Sequence, residues 1–231
     1  MIRSFIFKFF FYFGIVTICI IFLPALILPN RIVLFGGKIM GLWSKICLNI
    51  FLSTKILIKG KENLITDSKF FIACSHQSMF ETFFLQTIFN SPIFILKKEL
   101  LKIPIFGTYL KKIGSISIDR DKISKENLNF SEKIKSIVSI SNRPIIIFPQ
   151  ATRMPSSDRS PFKKGVSRIY DHLKIKCQPV AINSGKTWPK DGNVSPNKIL
   201  IVSILKPIEP GMESKEFLNC LQSNIYSELD I

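Results

Sequence analysis

Three short segments of this chain carry residue types that could do chemistry together. In His76-Gln77-Ser78-Met79-Phe80-Glu81 an acid stands five positions after a histidine. Gly114-Ser115-Ile116-Ser117-Ile118-Asp119-Arg120 and Phe148-Pro149-Gln150-Ala151-Thr152-Arg153 each end in an arginine that follows an apolar run. An imidazole supported by a carboxylate can take the proton of a hydroxyl, and two guanidiniums can grip the oxygens of a phosphate. Lys97 and Lys98, after a further apolar run, are either additional phosphate contacts or ordinary surface charge. Arg120 has local competitors in Asp119 and Asp121, whereas the next acid after Arg153 is Asp158.

The elements that must position these groups are short. Apolar, β-rich runs predict strands at 55–59, 70–74, 93–96, 115–118, 144–148, 178–183 and 199–205. Helical patterns alternate with them at 79–89, 105–112, 125–140, 164–173 and 214–229. Runs such as Pro144-Ile145-Ile146-Ile147-Phe148 are apolar throughout, as a strand covered on both faces would be. The alternation argues an α/β layered domain. His76 then falls between a strand and a helix. Ser78-x-x-Glu81 forms a capping box that starts the helix at Ser78, beside whose positive dipole end a neutral imidazole is favoured. Glu81 either orients that ring or only closes the cap, and the sequence leaves both open. The polar loop 152–160 follows an inner strand, where sites collect.

From Phe9 to Asn30, 22 residues, there is no charged side chain. A helix of that length crosses a ~30 Å hydrocarbon layer, with Arg3, Lys8 and Arg31 at its flanks. Pro24 and Pro29 should bend or end it. Residues 33–52 are apolar apart from Lys38 and Lys45, seven positions apart and so on one side of a helix. That segment reads as an interfacial helix or as a core helix with two snorkelling lysines. Gly37 and Gly41 offer a small-xxx-small seam for packing on the first helix. The division expected is a membrane anchor at 1–53 and an α/β domain at 54–231. Whether the first helix spans or re-enters is not legible.

A net charge of +16 implies an anionic partner, whether nucleic acid, an acidic membrane surface or a phosphorylated substrate, or reflects in part a coding bias toward Lys; a mean hydropathy of +0.28 is high for a soluble protein. The basic residues are scattered and no zinc-finger, homeodomain or RNP pattern occurs, so nucleic acid is not expected as a partner. Five cysteines at wide spacing read as buried thiols in a reducing compartment, and two histidines leave no His-based metal cluster. No Gly-x-Ser-x-Gly elbow is present. Asn183-Ser184-Gly185-Lys186-Thr187 lacks the earlier glycine of a phosphate-binding loop, since Val180 stands there. His172 is expected on a polar helix face.

In order and spacing, these segments resemble the four blocks of the lysophosphatidic acid acyltransferases, within the wider glycerolipid acyltransferase family. His76 to Glu81 resembles the first, His-x4-Asp, with Glu for Asp. Lys98-Glu99-Leu100 through Ile118-Asp119-Arg120, with Ile103-Pro104-Ile105-Phe106-Gly107 inside it, resembles the second. Phe148 to Arg153 resembles the third, usually Phe-Pro-Glu-Gly-Thr-Arg. Phe162-Lys163-Lys164-Gly165 and Gln178 to Gly185 resemble the remainder and the fourth. The likeness covers roughly residues 55–205.

It implies a layered mixed sheet flanked by helices, with an N-terminal membrane-associated helical pair. The implied reaction moves an acyl chain from acyl-CoA or acyl carrier protein, as co-substrate and without a cofactor or metal, to the sn-2 hydroxyl of 1-acylglycerol-3-phosphate. His76 would be the base and Glu81 its orienting acid; Arg120 and Arg153 would hold the phosphate. Residues 148–153, Gln150 and Thr152 among them, and Pro179 would shape the acceptor and acyl sites, and backbone N–H groups near the helix start would meet the oxyanion. The site would sit on the cytoplasmic side of the cell membrane, against an anionic surface. Gln150 for Glu removes a carboxylate, and Ala151 for Gly suits only a backbone with φ below zero. These departures keep two alternatives in view: an acyltransferase for another lysolipid, and a non-catalytic lipid-binding membrane protein.

Overall fold

A computed structural model describes residues 2–66, 68–118 and 130–230. All seven expected strands form, as β1 (Lys55–Lys59), β2 (Phe70–Cys74), β3 (Ile93–Lys97), β4 (Ile116–Ile118), β5 (Ile145–Ile147), β6 (Lys176–Ile182) and β7 (Ile199–Ile204). They make one sheet in the order β1-β7-β6-β2-β5-β3-β4. β1 and β7 run parallel to each other, and the β6–β7 pairing is antiparallel. The other pairs are parallel, so β2 to β6 all end at the same edge. The sheet is therefore mixed, as the resemblance implied.

The inner strands are apolar on both faces because both faces are covered. Along β2, Ile72 and Cys74 enter one apolar cluster, and Phe71 and Ala73 enter the other. The first cluster is closed by α1 (Ile2–Ile21), α2 (Asn30–Leu52), α3 (Phe80–Ile88) and α4 (Phe106–Lys112). The second is closed by α5 (Phe130–Ile140), α6 (Gly165–Leu173) and α7 (Ser214–Leu229). The helix expected at 125–140 is described from Phe130; its earlier part lies outside the described residues.

Pro179 sits within β6, opposite Ala73 of β2. Its carbonyl accepts from Leu205 N–H on the β7 side, and β7 pairs with β6 only from Val180 onward. The missing proline N–H therefore faces the point where that ladder begins, which is where a strand tolerates it.

Two helices, α1 and α2, have the length and apolar composition to cross a membrane. The first ends at Ile21, a 3-10 turn spans Leu23–Leu26, and Pro29 caps the second, as the prolines led one to expect. Phe7 and Phe11 of α1 turn inward and pack edge-on to Trp188, while Phe5, Phe9, Phe13, Val16 and Ile20 are exposed. Gly37 and Gly41 do not form the seam with α1. A Cβ on Gly41 would lie 2.5 Å from the Phe83 carbonyl oxygen, and one on Gly37 2.4 Å from Gln86 Oε1, so both glycines admit α3. The close approach to α1 is made instead by Gly14, under the Trp43 indole, whose Nε1–H donates to the Phe11 carbonyl at 3.3 Å.

Candidate active site

The site is built where the parallel strands end, the edge at which α/β sheets usually bind ligands. The chain leaves β2 at Cys74 and turns through Ser75, His76, Gln77 and Ser78 into α3. Ser78 Oγ accepts from Phe80 N–H at 3.2 Å, so the helix begins at Phe80, two residues beyond the cap expected at Ser78. Glu81 reaches back over this turn. Its Oε1 accepts from Gln77 N–H (2.8 Å), Ser78 N–H (2.9 Å) and Ser184 Oγ–H (2.8 Å). Ser184 lies just past the end of β6, so one carboxylate oxygen ties that strand's exit to the start of α3. Gly185 N–H adds a bond to Gln77 Oε1 at 3.0 Å.

The same Oε1 stands 4.0 Å from His76 Nδ1, at ion-pair rather than hydrogen-bond distance. A shift of about 1 Å in the ring would close the bond, and such bonds commonly tighten when substrate arrives. Nδ1 is buried, so the 15% exposure of the His76 side chain comes from the rest of the ring. Phe148 stacks on the imidazole at 4.1 Å between centroids, 19° from parallel. His76 N–H donates to Gln150 Oε1 at 2.7 Å, and Met154 N–H donates to the His76 carbonyl at 2.8 Å. The ring and its backbone are thus held by β5's outgoing loop as well as by Glu81.

Glu81 is fully buried. Burial pushes its pKa from an ordinary 4.5 up to about 7, against hydrogen bonds from Gln77, Ser184 and Ser78 that pull it down. Its second oxygen, Oε2, is also buried and accepts no hydrogen bond among the described residues. The carboxylate is therefore close to its midpoint at neutral pH.

The other expected site residues are distributed as follows. Gln150 is buried, with its amide oxygen on the His76 backbone. A glutamate oxygen could accept that bond equally, so the amide costs the turn no contact. Arg153 is half-buried, one residue before Met154, and its guanidinium has no hydrogen bond or ion pair among the described residues. Thr152 is exposed, and its hydroxyl receives Lys190 Nζ at 3.3 Å. Lys97 is exposed at the end of β3, on the same edge. Pro179 lies three residues inside the end of β6, within the sheet and away from that edge. Arg120 lies outside the described residues; β4, which leads to it, ends at Ile118 on the same edge. Of the backbone donors expected to meet an oxyanion, those of His76, Gln77, Ser78 and Phe80 already donate inside the protein. Cavities of about 320 Å³, walled by Asn183, Lys198 and Glu228, and about 440 Å³, beside Arg3 and Leu52, open elsewhere and do not include His76.

The loop beyond Arg153 is clipped to the end of α7. Arg159 pairs with Asp230 and lies over the Tyr226 ring, and Tyr226 Oη–H donates to the Ser160 carbonyl at 2.6 Å.

The sequence matches the family model described as Acyltransferase over residues 55–183, more than half of the chain. The chain belongs to the acyltransferase family. Among named relatives, it is 34% identical over 137 residues to the 1-acyl-sn-glycerol-3-phosphate acyltransferase of Pseudomonas aeruginosa, covering 58% of this chain and 52% of that one. It is 31% identical over 160 residues to the Bacillus subtilis protein of the same name, covering 65% and 77%. The chain spans about half the length of the first curated relatives it matches. Its fold is that of the crystal structure of the 1-acyl-sn-glycerophosphate (LPA) acyltransferase, PlsC, from Thermotoga maritima. The TM-score is 0.78 at 22% identity, over 99% of this chain and 97% of that one. The matched segment includes His76, Glu81, Gln150 and Arg153.

Sequence reasoning placed Phe148 within the third block but not against His76, and it passed over Ser184 and Lys190. Ser184 was within the segment compared with a phosphate loop, but its contact with Glu81 depends on β6 lying beside β2, which no local pattern reveals. Lys190 carried no signal.

Two predictions follow from this geometry. The carboxyl of Glu81 holds its proton in the folded state between about pH 4.5 and 7, while in the unfolded chain it is already ionised. Stability must therefore fall as pH rises through that window and level off above it, by on the order of 3 kcal/mol. Thermal unfolding should show the stability of Glu81→Gln rising relative to the wild type from pH 4.5 to 7 and the difference staying constant above; parallel curves would contradict the raised pKa. Second, Ala151 sits at φ +62°, after a turn in which its N–H donates to the Phe148 carbonyl at 2.9 Å. A left-handed alanine is strained where glycine is not. Ala151→Gly should raise stability by about 1 kcal/mol, a Tm increase of roughly 2–4 °C by thermal unfolding.

Proposed function

We propose that this protein transfers a fatty acyl chain from an acyl thioester to the sn-2 hydroxyl of 1-acylglycerol-3-phosphate, giving phosphatidic acid. The observation that carries this is the His76–Glu81 pair, 4.0 Å apart at the open strand edge, with Arg153 in the loop whose next residue, Met154, donates to the His76 carbonyl. The names borne by its relatives point the same way.

In the mechanism, Nδ1 of His76 faces Glu81 and the opposite nitrogen, Nε2, takes the proton of the acceptor hydroxyl. The hydroxyl oxygen attacks the thioester carbonyl, the carbon–sulfur bond breaks, and the proton passes from His76 to the departing thiolate. No acyl-enzyme forms. An imidazolium appears during attack, and a carboxylate 4 Å away is worth about 4 kcal/mol to it at an effective dielectric of 20. Stacking on Phe148 keeps the ring from turning away as that charge develops. Arg153, with Arg120 and Lys97, holds the acceptor's phosphate; Lys190, reaching Thr152, adds positive charge to the same rim. With its neighbouring backbone donors engaged, the site stabilises the oxyanion chiefly through this cationic rim. The donor is acyl-CoA or acyl carrier protein.

The exposed aromatic face of α1 seats the protein in the membrane, with α2 beside it at the interface, Arg3, Lys8 and Arg31 near the headgroups, and the site on the cytoplasmic side. The surplus of 16 positive charges favours an anionic leaflet.

The test is thiol release from an acyl thioester with lysophosphatidic acid or lysophosphatidylcholine as acceptor. Turnover is expected with the first and only weakly with the second. Equal use of both would make the lysolipid class wrong, and silence with every acceptor would leave a lipid-binding protein. His76→Ala should lose roughly 10²–10⁴-fold in kcat. Glu81→Gln should lose about 100-fold, roughly 3 kcal/mol of transition-state stabilisation. Arg153→Ala should mainly raise the acceptor KM.

A further inference from the structure

The segment between β3 and α4 exposes Lys98, Glu99 and Lys102 and, among them, three large apolar residues. Leu100, Ile103 and Ile105 are 39%, 43% and 37% exposed. Ile105 has φ +61° and ψ −58°, and Phe106 N–H donates to the Pro104 carbonyl at 2.6 Å across it. That is a γ-turn of the rare, strained hand. A β-branched residue with positive φ is a steric outlier, and glycine or asparagine would fit the turn better. What isoleucine supplies in their place is an apolar side chain at the crest of the turn.

The crest adjoins the corner between α1 and α2. From α4, Tyr109 Oη–H donates to the Cys19 carbonyl at 2.7 Å and Lys112 Nζ donates to the Leu26 carbonyl at 2.9 Å. Phe106 and Ile113 pack into the same cluster as Cys19 and Ala25. At that corner Leu23, Ile27 and Leu28 are themselves 40%, 90% and 45% exposed. The apolar surface of the helical pair thus continues onto the turn, with exposed Lys102 within it and exposed Lys111 following in α4. Scattered exposed aliphatics are ordinary on a protein surface; a strained crest that prolongs a membrane-length apolar surface, with cations at its rim, is the pattern of an interfacial anchor.

We propose that the turn at residues 100–105 is a third membrane contact, placing Leu100, Ile103 and Ile105 in the acyl region of the same leaflet as α1 and α2. Lys102 and Lys111 reach the anionic headgroups above it. This rests on the membrane seating given under the proposed function. Its consequence is orientation: two helices alone leave the domain free to rock about their axis, and a contact following β3 fixes the strand edge that carries His76 against the lipid.

The full chain, with Cys220 replaced by serine because the other four cysteines are buried, would receive single cysteines carrying an environment-sensitive fluorophore. The sites are Ile103→Cys, Ile105→Cys, Ile20→Cys on the exposed face of α1, and Ile140→Cys at the far end of α5, where the native side chain is 87% exposed. Each is reconstituted in phosphatidylethanolamine–phosphatidylglycerol vesicles containing lipids with nitroxides on their acyl chains. Quenching at 103 and 105 is expected to reach at least half of that at 20, with none at 140. Two positions on the turn keep the test independent of any strain relieved at 105. If 103 and 105 behave like 140 while 20 is quenched, the third contact is wrong and the membrane seating stands. If 20 is unquenched as well, both fall. A blue-shifted but unquenched label at 103 and 105 would mean that a second copy of the chain covers the turn, which also overturns the proposal.

Discussion

One buried carboxylate organises the functional end of this molecule. Glu81 has no exposed surface, and its Oε1 gathers the N–H groups of Gln77 and Ser78 and the hydroxyl of Ser184. Removing a carboxylate from water is costly, and three donors offset that cost only if each is held in place. Two of them belong to the turn that starts α3. The third comes from 103 residues further along the chain, and it is available only because β6 lies beside β2 with Cys74 opposite Val180. The strand order of the sheet and the position of the acid are therefore one constraint.

His76 inherits its position from that arrangement. Its peptide unit is bracketed by Gln150 and Met154, its ring lies against Phe148, and its Nδ1 faces the buried acid. The loop that supplies three of those four contacts also carries Arg153, and its far end is fastened to α7 through Arg159, Asp230 and Tyr226. A base and a cation are thus fixed by the same few residues. On the face bearing α3, the apolar helices α1 and α2 complete the core, so the structure that supports the site is the structure that presents apolar surface outward.

Much of this was legible in the sequence. Every strand could be read because each is an apolar run bounded by turn residues, and the alternation with helices gave the layered α/β class. His76, Glu81 and Arg153 stood out because unlike residue types recurred in order at strand ends. The order of strands was not legible, and with it went Ser184, whose role is purely a matter of which strands are neighbours. Whether Glu81 caps a helix or attends a histidine looked like a choice; in the structure one oxygen closes the turn and also stands 4.0 Å from the ring nitrogen. Gly37 and Gly41 announced a close helix approach without saying to which helix, and α3 takes the place expected of α1. At Ala151 the sequence identified the conflict correctly: the glycine conformation persists at φ +62° without the glycine.

The central claim is that Glu81 fixes the imidazole with its proton on Nδ1 and its lone pair on Nε2. It is tested most directly by ¹⁵N NMR of histidine-labelled protein carrying His172→Gln, so that His76 alone reports, at a pH above 7 where Glu81 is ionised. The account predicts the Nδ1–H tautomer in this protein and a mixture of tautomers when Glu81→Gln is added. A ring protonated on Nε2, or a tautomer indifferent to residue 81, would contradict it.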